Sequence, residues 1–214
     1  MKTLVYTALS WSLLCGGAVS ADDGFTPLCD GRSLDGWVVD GEAQFKANGK
    51  EQPIWRLEKG TLVCQGHDFS FLRYDKLLHD FIIRLDFRMT PGCNSGLGIR
   101  AREFTGPKNT RPSNTGYEMQ ILDDRGRRPS RYSSGSLYRY LAPQHNAIKP
   151  AGQWNAVEIE CRGPKIKITL NGQVIHDIDQ SQIDRLEDKP LSGYFSLQNH
   201  NSRVAFRNIR LKAL

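Results

Sequence analysis

The sequence predicts an all-β chain folded as a two-sheet antiparallel β-sandwich of jelly-roll type. Three observations support this prediction. Apolar residues recur with a period of two, short extended segments are separated by turns that contain Gly and Pro, and the helical period of 3.6 residues is nearly absent. A chain of 214 residues is long enough to bury the core of one such domain.

The chain opens on a segment that is typical of secretory signal peptides. Lys2 precedes an apolar run that ends at Leu14, and the small residues at positions 19–21 suit a cleavage site. We therefore predict a signal peptide over residues 1–21, a single domain over residues 22–214, and export to the periplasm or the cell exterior. No stretch reaches the roughly 20 apolar residues that a membrane-spanning helix needs.

Strands with one buried face account for most of the remaining sequence. They are expected at residues 37–39, 55–57, 61–65, 71–74, 81–89, 95–101, 116–123, 157–161, 165–170, 193–199 and 204–211. The clearest are residues 81–89 and 157–161, where apolar side chains alternate strictly with charged ones.

One turn and one helix are also predicted. Asn171 and Gly172 supply the left-handed pair of a tight hairpin, after which an apolar run resumes at Val174. The one helical candidate is the polar segment 180–187, which lies before Pro190.

Charge narrows the classes of partner. The formal net charge is +6, and much of the local excess lies in one loop, at Arg125, Arg127, Arg128 and Arg131. Gly and Pro interrupt this loop, and it lacks the interleaved aromatic residues of a platform for single-stranded nucleic acid. We predict a solvated loop and no nucleic-acid partner.

The cysteines leave two alternatives open. Those beyond the predicted signal peptide are Cys29, Cys64, Cys93 and Cys161. They are too scattered for a zinc site, and in an exported chain they are either disulfide-bonded or small buried thiols.

The segment 116–123 carries the strongest functional signal. In an extended strand, Tyr117 and the alternate apolar residues after it face one side, whereas Glu118 and Gln120 face the other. A long acid and a long amide two residues apart can both hydrogen-bond one sugar-sized ligand. The irregular stretches 106–116 and 123–134 flank this strand and are predicted to form the rims of a cleft.

Two other segments are expected to contribute to this cleft. Arg100 shares the parity of two nearby glycines, which leave room for a ligand against the backbone, so we predict that it braces Glu118 or contacts the ligand. A structural salt bridge is the alternative for Arg100. Asn94 is interpreted as a turn residue first and a ligand contact second.

The C-terminal strands and one aromatic residue complete the candidate set. Gln198 and His200 share a polar face, and His200 is a candidate proton carrier because its ordinary pKa lies near neutrality. Arg207 opposes an apolar neighbour and is expected to reach the same face. Tyr138 is a candidate for stacking on a sugar ring.

Several blocks of the sequence occur together in a characteristic order. They are GRSLDGW at 31–37, WRLEKGTLV at 55–63, DFIIRLDFRMTPGCNSGLGIR at 80–100, GYEMQILD at 116–123, GSLY at 135–138, WN at 154–155, LNG at 170–172, and GYFSLQNH with VAFRNIRLKAL at the end. Together they resemble the 3-keto-disaccharide hydrolase domain family, which is built on the concanavalin A-like lectin and glucanase sandwich. The resemblance covers nearly the whole predicted domain.

The resemblance implies a substrate whose sugar carries a ketone at carbon 3, such as an oxidised di- or oligosaccharide or another glycoside. The ketone acidifies the hydrogen on carbon 2, so a base can remove it and the aglycone can leave by elimination, with hydration completing a net hydrolysis. It also implies roles for Glu118 as general base or metal ligand, and for His200 in catalysis. A divalent metal ion is a possible cofactor that would polarise the ketone.

Two other functions stay open at this stage. A lectin-like module would bind carbohydrate on the same fold without cleaving it. An ordinary retaining glycosidase needs two carboxyl groups about 5–5.5 Å apart, and position 120, which would supply the second one, is an amide. Asp123 could replace it only if the strand kinks.

Overall fold

The computed structural model describes residues 23–214, so the predicted signal segment and its cleavage point lie outside the described residues. The strands, in chain order, are β1 (Thr26–Pro27), β2 (Trp37–Gly41), β3 (Gln44–Ala47), β4 (Lys50–Pro53), β5 (Trp55–Glu58), β6 (Thr61–Cys64), β7 (Phe69–Tyr74), β8 (Phe81–Met89), β9 (Asn94–Ala101), β10 (Tyr117–Leu122), β11 (Trp154–Arg162), β12 (Lys165–Leu170), β13 (Gln173–Asp179), β14 (Tyr194–His200) and β15 (Val204–Ala213). A short helix, α1, spans Pro112–Thr115, and single 3-10 turns lie at Lys108–Thr110 and Gln180–Gln182.

The strands pair into two main antiparallel sheets. An eight-stranded sheet has the order β13-β12-β11-β8-β15-β6-β5, with β1 beside β15, and a five-stranded sheet has the order β10-β9-β14-β7-β2. Strands β3 and β4 form a separate hairpin. The predicted all-β sandwich is therefore confirmed.

The core lies between the two main sheets. Ile83 and Phe87 of β8 meet side chains such as Leu97 of β9 and Met119 of β10, and all four are fully buried. Burial of each such side chain contributes about 1.5–3 kcal/mol. Because these strands alternate, their other side chains lie on the two outer faces of the sandwich.

The predicted hairpin at Asn171 and Gly172 was confirmed, whereas one pair of strands was not predicted. Asn171 and Gly172 both have positive φ, at 51° and 80°, and Leu170 pairs with Gln173 across them, as a two-residue hairpin requires. Strands β3 and β4 were not predicted, because their largely exposed sequence shows no apolar alternation.

The predicted helix over residues 180–187 was wrong. Only Gln180–Gln182 is helical, as one 3-10 turn whose N-cap, Asp179, accepts a hydrogen bond from the Ser181 backbone N–H at 3.0 Å. Turns follow it. Ile183 and Leu186 pack against the core from these turns, so the short segment buries its apolar side chains without a longer helix.

Two further findings concern membrane-spanning helices and the state of the cysteines. Within residues 23–214 there is no helix with the length and apolar character that crossing a membrane demands. The four cysteines among the described residues are free thiols, at Cys29, Cys64, Cys93 and Cys161. The last three are buried, and desolvation raises the pKa of each to about 12.

Candidate functional site

Glu118 and Gln120 lie on the outer face of the five-stranded sheet, as predicted. Their neighbours along β10, Tyr117 and Met119, are fully buried in the core, so the alternation is strict. Glu118 and Gln120 are nevertheless buried as well, with 4% and 5% of their surface exposed. The free edge of β10 is covered, because the Tyr138 backbone N–H donates to the Glu118 carbonyl at 2.8 Å.

Two glycines of β9 make room for this arrangement. A Cβ atom on Gly96 would lie 2.9 Å from Cγ and 3.0 Å from Oε1 of Glu118, and one on Gly98 would lie 2.2 Å from the Ser196 hydroxyl. The Glu118 side chain thus lies directly over the Gly96 backbone. Because Gly96 and Gly98 have no side chains, the Glu118 carboxylate can lie against the surface of the sheet.

A segment formed by residues 102–116, which we call the cover segment, closes over this face. It brings Arg111, Pro112 and Ser113 above Gly98 and Glu118. The Arg111 guanidinium also stacks 4.2 Å from the centroid of the Phe69 ring.

The cover segment is anchored at both ends by side chains from elsewhere in the fold. Near its start, the Phe104 backbone N–H donates to Asp40 Oδ2 at 3.2 Å, and the same oxygen accepts from Arg73 Nε at 2.8 Å. Near its end, Lys189 Nζ donates to the carbonyl oxygens of Asn114 and Gly116, each at 2.9 Å. These anchors hold Arg111 over the sheet without a long helix beneath it.

Burial changes the acid strength of Glu118. Desolvation raises the pKa of its carboxyl from 4.5 to about 7, and it outweighs the Gln198 hydrogen bond, the Arg111 charge and the Ser113 hydrogen bond, which lower that pKa. Both protonation states are therefore populated near neutral pH. A carboxyl group with these properties can accept and return a proton.

A chain of hydrogen bonds connects Gln120 to His200. Gln120 Nε2 donates to Asn94 Oδ1 at 3.2 Å, and the Asn94 amide Nδ2 lies 3.3 Å from His200 Nδ1. Because Nδ2 can only donate, Nδ1 accepts, and the proton of a neutral His200 ring is then on Nε2. His200 is thereby oriented as a donor.

Several buried polar atoms of this face have no protein partner. Among the described residues, the buried side-chain atoms without a hydrogen bond include Gln120 Oε1, Gln198 Oε1, Ser196 Oγ and Arg111 Nε. Each such atom carries a desolvation penalty of about 1–3 kcal/mol. The hydroxyl groups of a sugar can form hydrogen bonds with these two amide oxygens and with the serine hydroxyl.

These side chains enclose a cavity of about 40 Å³. The residues that line it are Asn94, Arg111, Ser113, Glu118, Gln120, Tyr138, Gln198 and His200. The structure thus brings together six of the residues predicted from the sequence, namely Asn94, Glu118, Gln120, Tyr138, Gln198 and His200. Their chemical roles stay predictions.

Arg100 is a correction to the sequence prediction, because it does not lie in the cavity. Its side chain is fully buried at the end of β9, where it donates to the Gly163 carbonyl at 2.7 Å and the His79 carbonyl at 3.2 Å and pairs with Asp80 at 3.4 Å. The physical reason is its φ of 50°, which interrupts the strand alternation and turns the side chain away from the glycine face.

Arg207 is the second correction. It lies on β15 of the eight-stranded sheet, on the opposite side of the sandwich, where it is exposed. Its guanidinium pairs with Asp86 Oδ2 at 3.0 Å and stacks 4.0 Å from the centroid of the Trp154 ring. Consecutive strands β14 and β15 belong to different sheets, so a shared polar pattern did not mean a shared face.

Sequence reasoning missed Arg111 and Ser113 as site residues. The stretch 106–116 was predicted to form a rim, but nothing in its sequence shows which residue turns inward. Asp123 is not among the residues that line the cavity, and its Oδ2 accepts the Gly92 backbone N–H at 2.9 Å.

The cavity suits a polyhydroxylated ligand better than a divalent cation. Residues 23–214 contain no group of three or more His, Cys, Asp and Glu side chains placed to hold a metal. In the cavity, Glu118 and His200 are the residues of these types. The neighbouring Arg111 already supplies positive charge to the carboxylate, which disfavours a second cation there.

Comparisons with known proteins identify one family. The family model described as the 3-keto-alpha-glucoside-1,2-lyase-like domain matches residues 24–212. A curated relative from Bacteroides thetaiotaomicron, named 3-keto-disaccharide hydrolase, is 24% identical over 245 residues, which cover 90% of this chain and 79% of that protein.

Solved structures share the fold. A candidate glycosyl hydrolase from Parabacteroides distasonis has a TM-score of 0.72 at 24% identity, covering 89% of this chain and 94% of that one. The carbohydrate binding module CBM66 from Bacillus subtilis has a TM-score of 0.51 at 13% identity, covering 83% and 96%. Both enzymes and binding modules are thus found among proteins of this architecture, which by itself decides nothing about catalysis.

Proposed function

The chain belongs to the family of 3-keto-α-glucoside-1,2-lyase-like domains, and from this premise we propose that it is a carbohydrate-active enzyme that cleaves the glycosidic bond of 3-keto-glycosides. The observation that carries the proposal is a single buried carboxyl, Glu118, whose pKa is raised to about 7. One base of this kind fits elimination, whereas direct displacement needs a second carboxyl, and Glu118 is the one carboxyl among the residues that line the cavity.

Each step of the proposed reaction has a residue of the cavity beside it. Glu118 takes the acidic hydrogen from carbon 2, and the electron pair moves onto the oxygen of the 3-ketone to give an enolate. Arg111 provides positive charge next to this carboxylate and is the proposed partner of the enolate oxygen. An electrostatic interaction between Arg111 and the enolate oxygen is far stronger in a buried site than in water.

The second half of the reaction breaks the glycosidic bond. The enolate electrons return to form the carbon 1–carbon 2 double bond, and the leaving oxygen departs with a proton. Glu118 returns to that oxygen the proton it took from carbon 2, and His200 Nε2–H is the proposed hydrogen-bond donor to the same oxygen, since Nδ1 accepts from Asn94. Addition of water to the double bond then completes a net hydrolysis.

The unpaired polar atoms would hold the sugar. Gln120 Oε1 and Gln198 Oε1 are buried acceptors without partners, and sugar hydroxyl groups are donors. Tyr138 lies at the mouth and is half-buried, so its ring can contact the sugar face.

The proposal is tested by incubating the purified protein with a 3-keto-disaccharide and with its unoxidised parent, each with and without a chelator, in D₂O. We expect loss of the oxidised compound alone, with deuterium at carbon 2 of the hydrolysed sugar, detected by NMR and mass spectrometry. Loss of neither compound supports a binding module, and loss of the parent supports an ordinary glycosidase. Turnover that stops with the chelator would bring a divalent ion into the mechanism.

Export is a separate part of the proposal and rests on the signal-like sequence of residues 1–21. N-terminal sequencing of the protein expressed from the full gene in a bacterial host checks it. A chain recovered from the periplasm or medium that begins at Asp22 supports export, and an intact Met1 in the cytoplasm contradicts it.

A further inference from the structure

A groove of about 740 Å³ lies on the eight-stranded sheet, which is the sheet of the sandwich that does not carry Glu118. Its volume is within the range of roughly 300–1,000 Å³ that is usual for ligand pockets. The groove shares no lining residue with the cavity around Glu118. It is therefore a separate candidate site.

The register of the strands explains the shape of this groove. One row of outward-facing side chains crosses strands β5, β6, β15, β8 and β11, and its members in that order are Arg56, Val63, Ala205, Arg88 and Trp154. Val63 and Ala205 are short, so they form a low apolar floor between longer side chains on both sides. Strands lie about 4.8 Å apart, so the row from Arg56 to Arg88 extends over roughly 14 Å, which is longer than one sugar ring.

Arg88 forms one wall of the groove. Its guanidinium stacks 4.7 Å from the centroid of the Trp154 ring, and Arg207 stacks 4.0 Å from the same centroid. Within residues 23–214 the Arg88 side chain forms no ion pair and no hydrogen bond. The stack restrains the plane of the guanidinium and leaves its N–H groups free. A planar fork of this kind matches the two oxygens of a carboxylate.

The opposite wall adds a second cation without a partner. Glu58 pairs with Arg56 at 2.7 Å and with Arg203 at 3.0 Å, so its charge is already balanced. Lys59 is exposed in the turn between β5 and β6, and it has no ion pair with any residue of the described chain. Among the lining residues, Lys59, Arg88 and Arg203 outnumber Glu58 by two charges. The groove therefore attracts an anionic ligand.

The lining also narrows the class of anionic ligand. Single-stranded nucleic acid stacks its bases on open aromatic rings, but the Trp154 ring already stacks with Arg88 and Arg207. Attachment to a membrane surface needs exposed apolar side chains, and none of the large hydrophobic residues exposed within 23–214 lines the groove. In an acidic polysaccharide, by contrast, carboxylates can reach the cations on both walls while C–H groups of the sugar rest on the apolar floor.

We propose that this groove is a second, non-catalytic site that binds an acidic polysaccharide through its carboxylate groups, as a polyuronate would present them. The site holds the protein on an acidic glycan while the cavity on the other sheet stays accessible. It does not depend on the proposed function, because the two sites have no residue in common.

The test compares two double variants that each remove two positive charges. Lys59→Asn with Arg88→Gln changes the groove, and Asn tolerates the positive φ of 51° at position 59. Arg127→Gln with Arg128→Gln is the matched control, because both residues are exposed and line neither the groove nor the cavity. Each protein is titrated by calorimetry, at physiological ionic strength, with an oligogalacturonate, with a neutral glucan oligosaccharide of the same length and with single-stranded oligothymidylate.

We expect the unaltered protein to bind the oligogalacturonate and the groove variant to raise its Kd by about 10- to 100-fold, because hydrogen bonds between charged groups are lost. The control variant should raise the Kd less than about threefold, since salt screens charges that lie far from the site. The neutral glucan and the oligothymidylate should bind more weakly than the oligogalacturonate.

Three results would overturn the proposal. They are no binding of the oligogalacturonate by the unaltered protein, equal losses of affinity in the two double variants, and equal binding of the neutral glucan or the oligothymidylate. Thermal unfolding checks that the variants fold. If the groove variant does not fold, Lys59→Asn alone is measured, since it leaves the Arg88 stack intact, and an unchanged Kd in that variant overturns the proposal.

Discussion

The outer faces of the two sheets follow the same sequence pattern and differ in what happens to their polar side chains. On the eight-stranded sheet the charges are exposed and many of them are paired, as in Arg84 with Glu158 at 2.6 Å and Arg203 with Glu58 at 3.0 Å. On the five-stranded sheet the polar residues are buried beneath the cover segment, and atoms such as Gln120 Oε1 have no partner. Alternation predicts a polar face on both sheets, and the unpaired polar atoms buried around Glu118 are the reason for placing the proposed substrate on the five-stranded sheet.

The largest expected effect on activity comes from replacing Glu118 on the five-stranded sheet, compared with the same change at Glu158 on the eight-stranded sheet. Glu118→Gln should lower kcat/KM on a 3-keto-disaccharide by about 10²–10⁴-fold, the usual contribution of a general base. The melting temperature should not fall, because a neutral amide replaces a buried acid. Glu158→Gln is the control on the eight-stranded sheet and should leave turnover intact. Full activity of Glu118→Gln would remove this residue from the mechanism.

The next comparison concerns two arginines that each stack on an aromatic ring. Arg111→Ala should lower kcat by about 10²–10³-fold, as loss of a charge-stabilising group does in other enzymes. Arg207→Ala should leave kcat unchanged and lower the free energy of unfolding by about 1 kcal/mol or less. Steady-state kinetics and urea denaturation of both variants measure these effects. Equal kinetic losses from the two changes would contradict the assignment of the faces.

A pH titration of stability distinguishes the two faces by sign. Folding raises the pKa of Glu118 from 4.5 to about 7, so between these pH values the folded state holds a proton that the unfolded state has lost. The free energy of unfolding should therefore fall as pH rises through this window, by about 3 kcal/mol at most.

Glu58, on the other face, should behave in the opposite way. The Arg56 hydrogen bond lowers its pKa from 4.5 to about 2, so its contribution is present above pH 4.5 and is lost as pH falls towards 2. This contribution is small because the pair is partly exposed. Urea unfolding from about pH 2 to about pH 8 measures both effects, and the first should be absent from Glu118→Gln. A slope that survives this substitution has another origin.

The smallest expected effect tests whether the glycine surface positions the carboxylate. Gly96→Ala places a Cβ 2.9 Å from Cγ, 3.0 Å from Oε1 and 3.1 Å from Cδ of Glu118. Displacing the base by part of an ångström should lower kcat by roughly 10- to 100-fold. In a Glu118→Gln background the same change should add little. Independent, additive losses would show that Gly96 acts elsewhere.

Much of this site could be predicted because its strongest signal is local. Strand alternation placed Glu118 opposite Met119, and it placed Gln198 and His200 together on the neighbouring polar row. These inferences need only the period of a strand. The chain confirmed them because β10 and the relevant part of β14 contain no irregularity that reverses the parity.

The remaining residues could not be predicted because their positions depend on non-local structure. Arg100 adopts a left-handed conformation that is uncommon for a residue other than glycine, and no neighbouring residue indicates it. The sheet that Arg207 joins is decided by pairing of β15 with β8. Arg111 was missed because the path of the cover segment depends on Asp40 and Lys189, which lie far away in sequence.

The anchoring of the cover segment makes the proposed activity depend on the complete domain. Asn94 and His200, in direct contact, are separated by 106 positions, and Lys189 grips a carbonyl 75 positions earlier. Long-range closures of this kind form late and slowly. A nascent or proteolysed chain that lacks its last strands is therefore expected to lack the proposed activity.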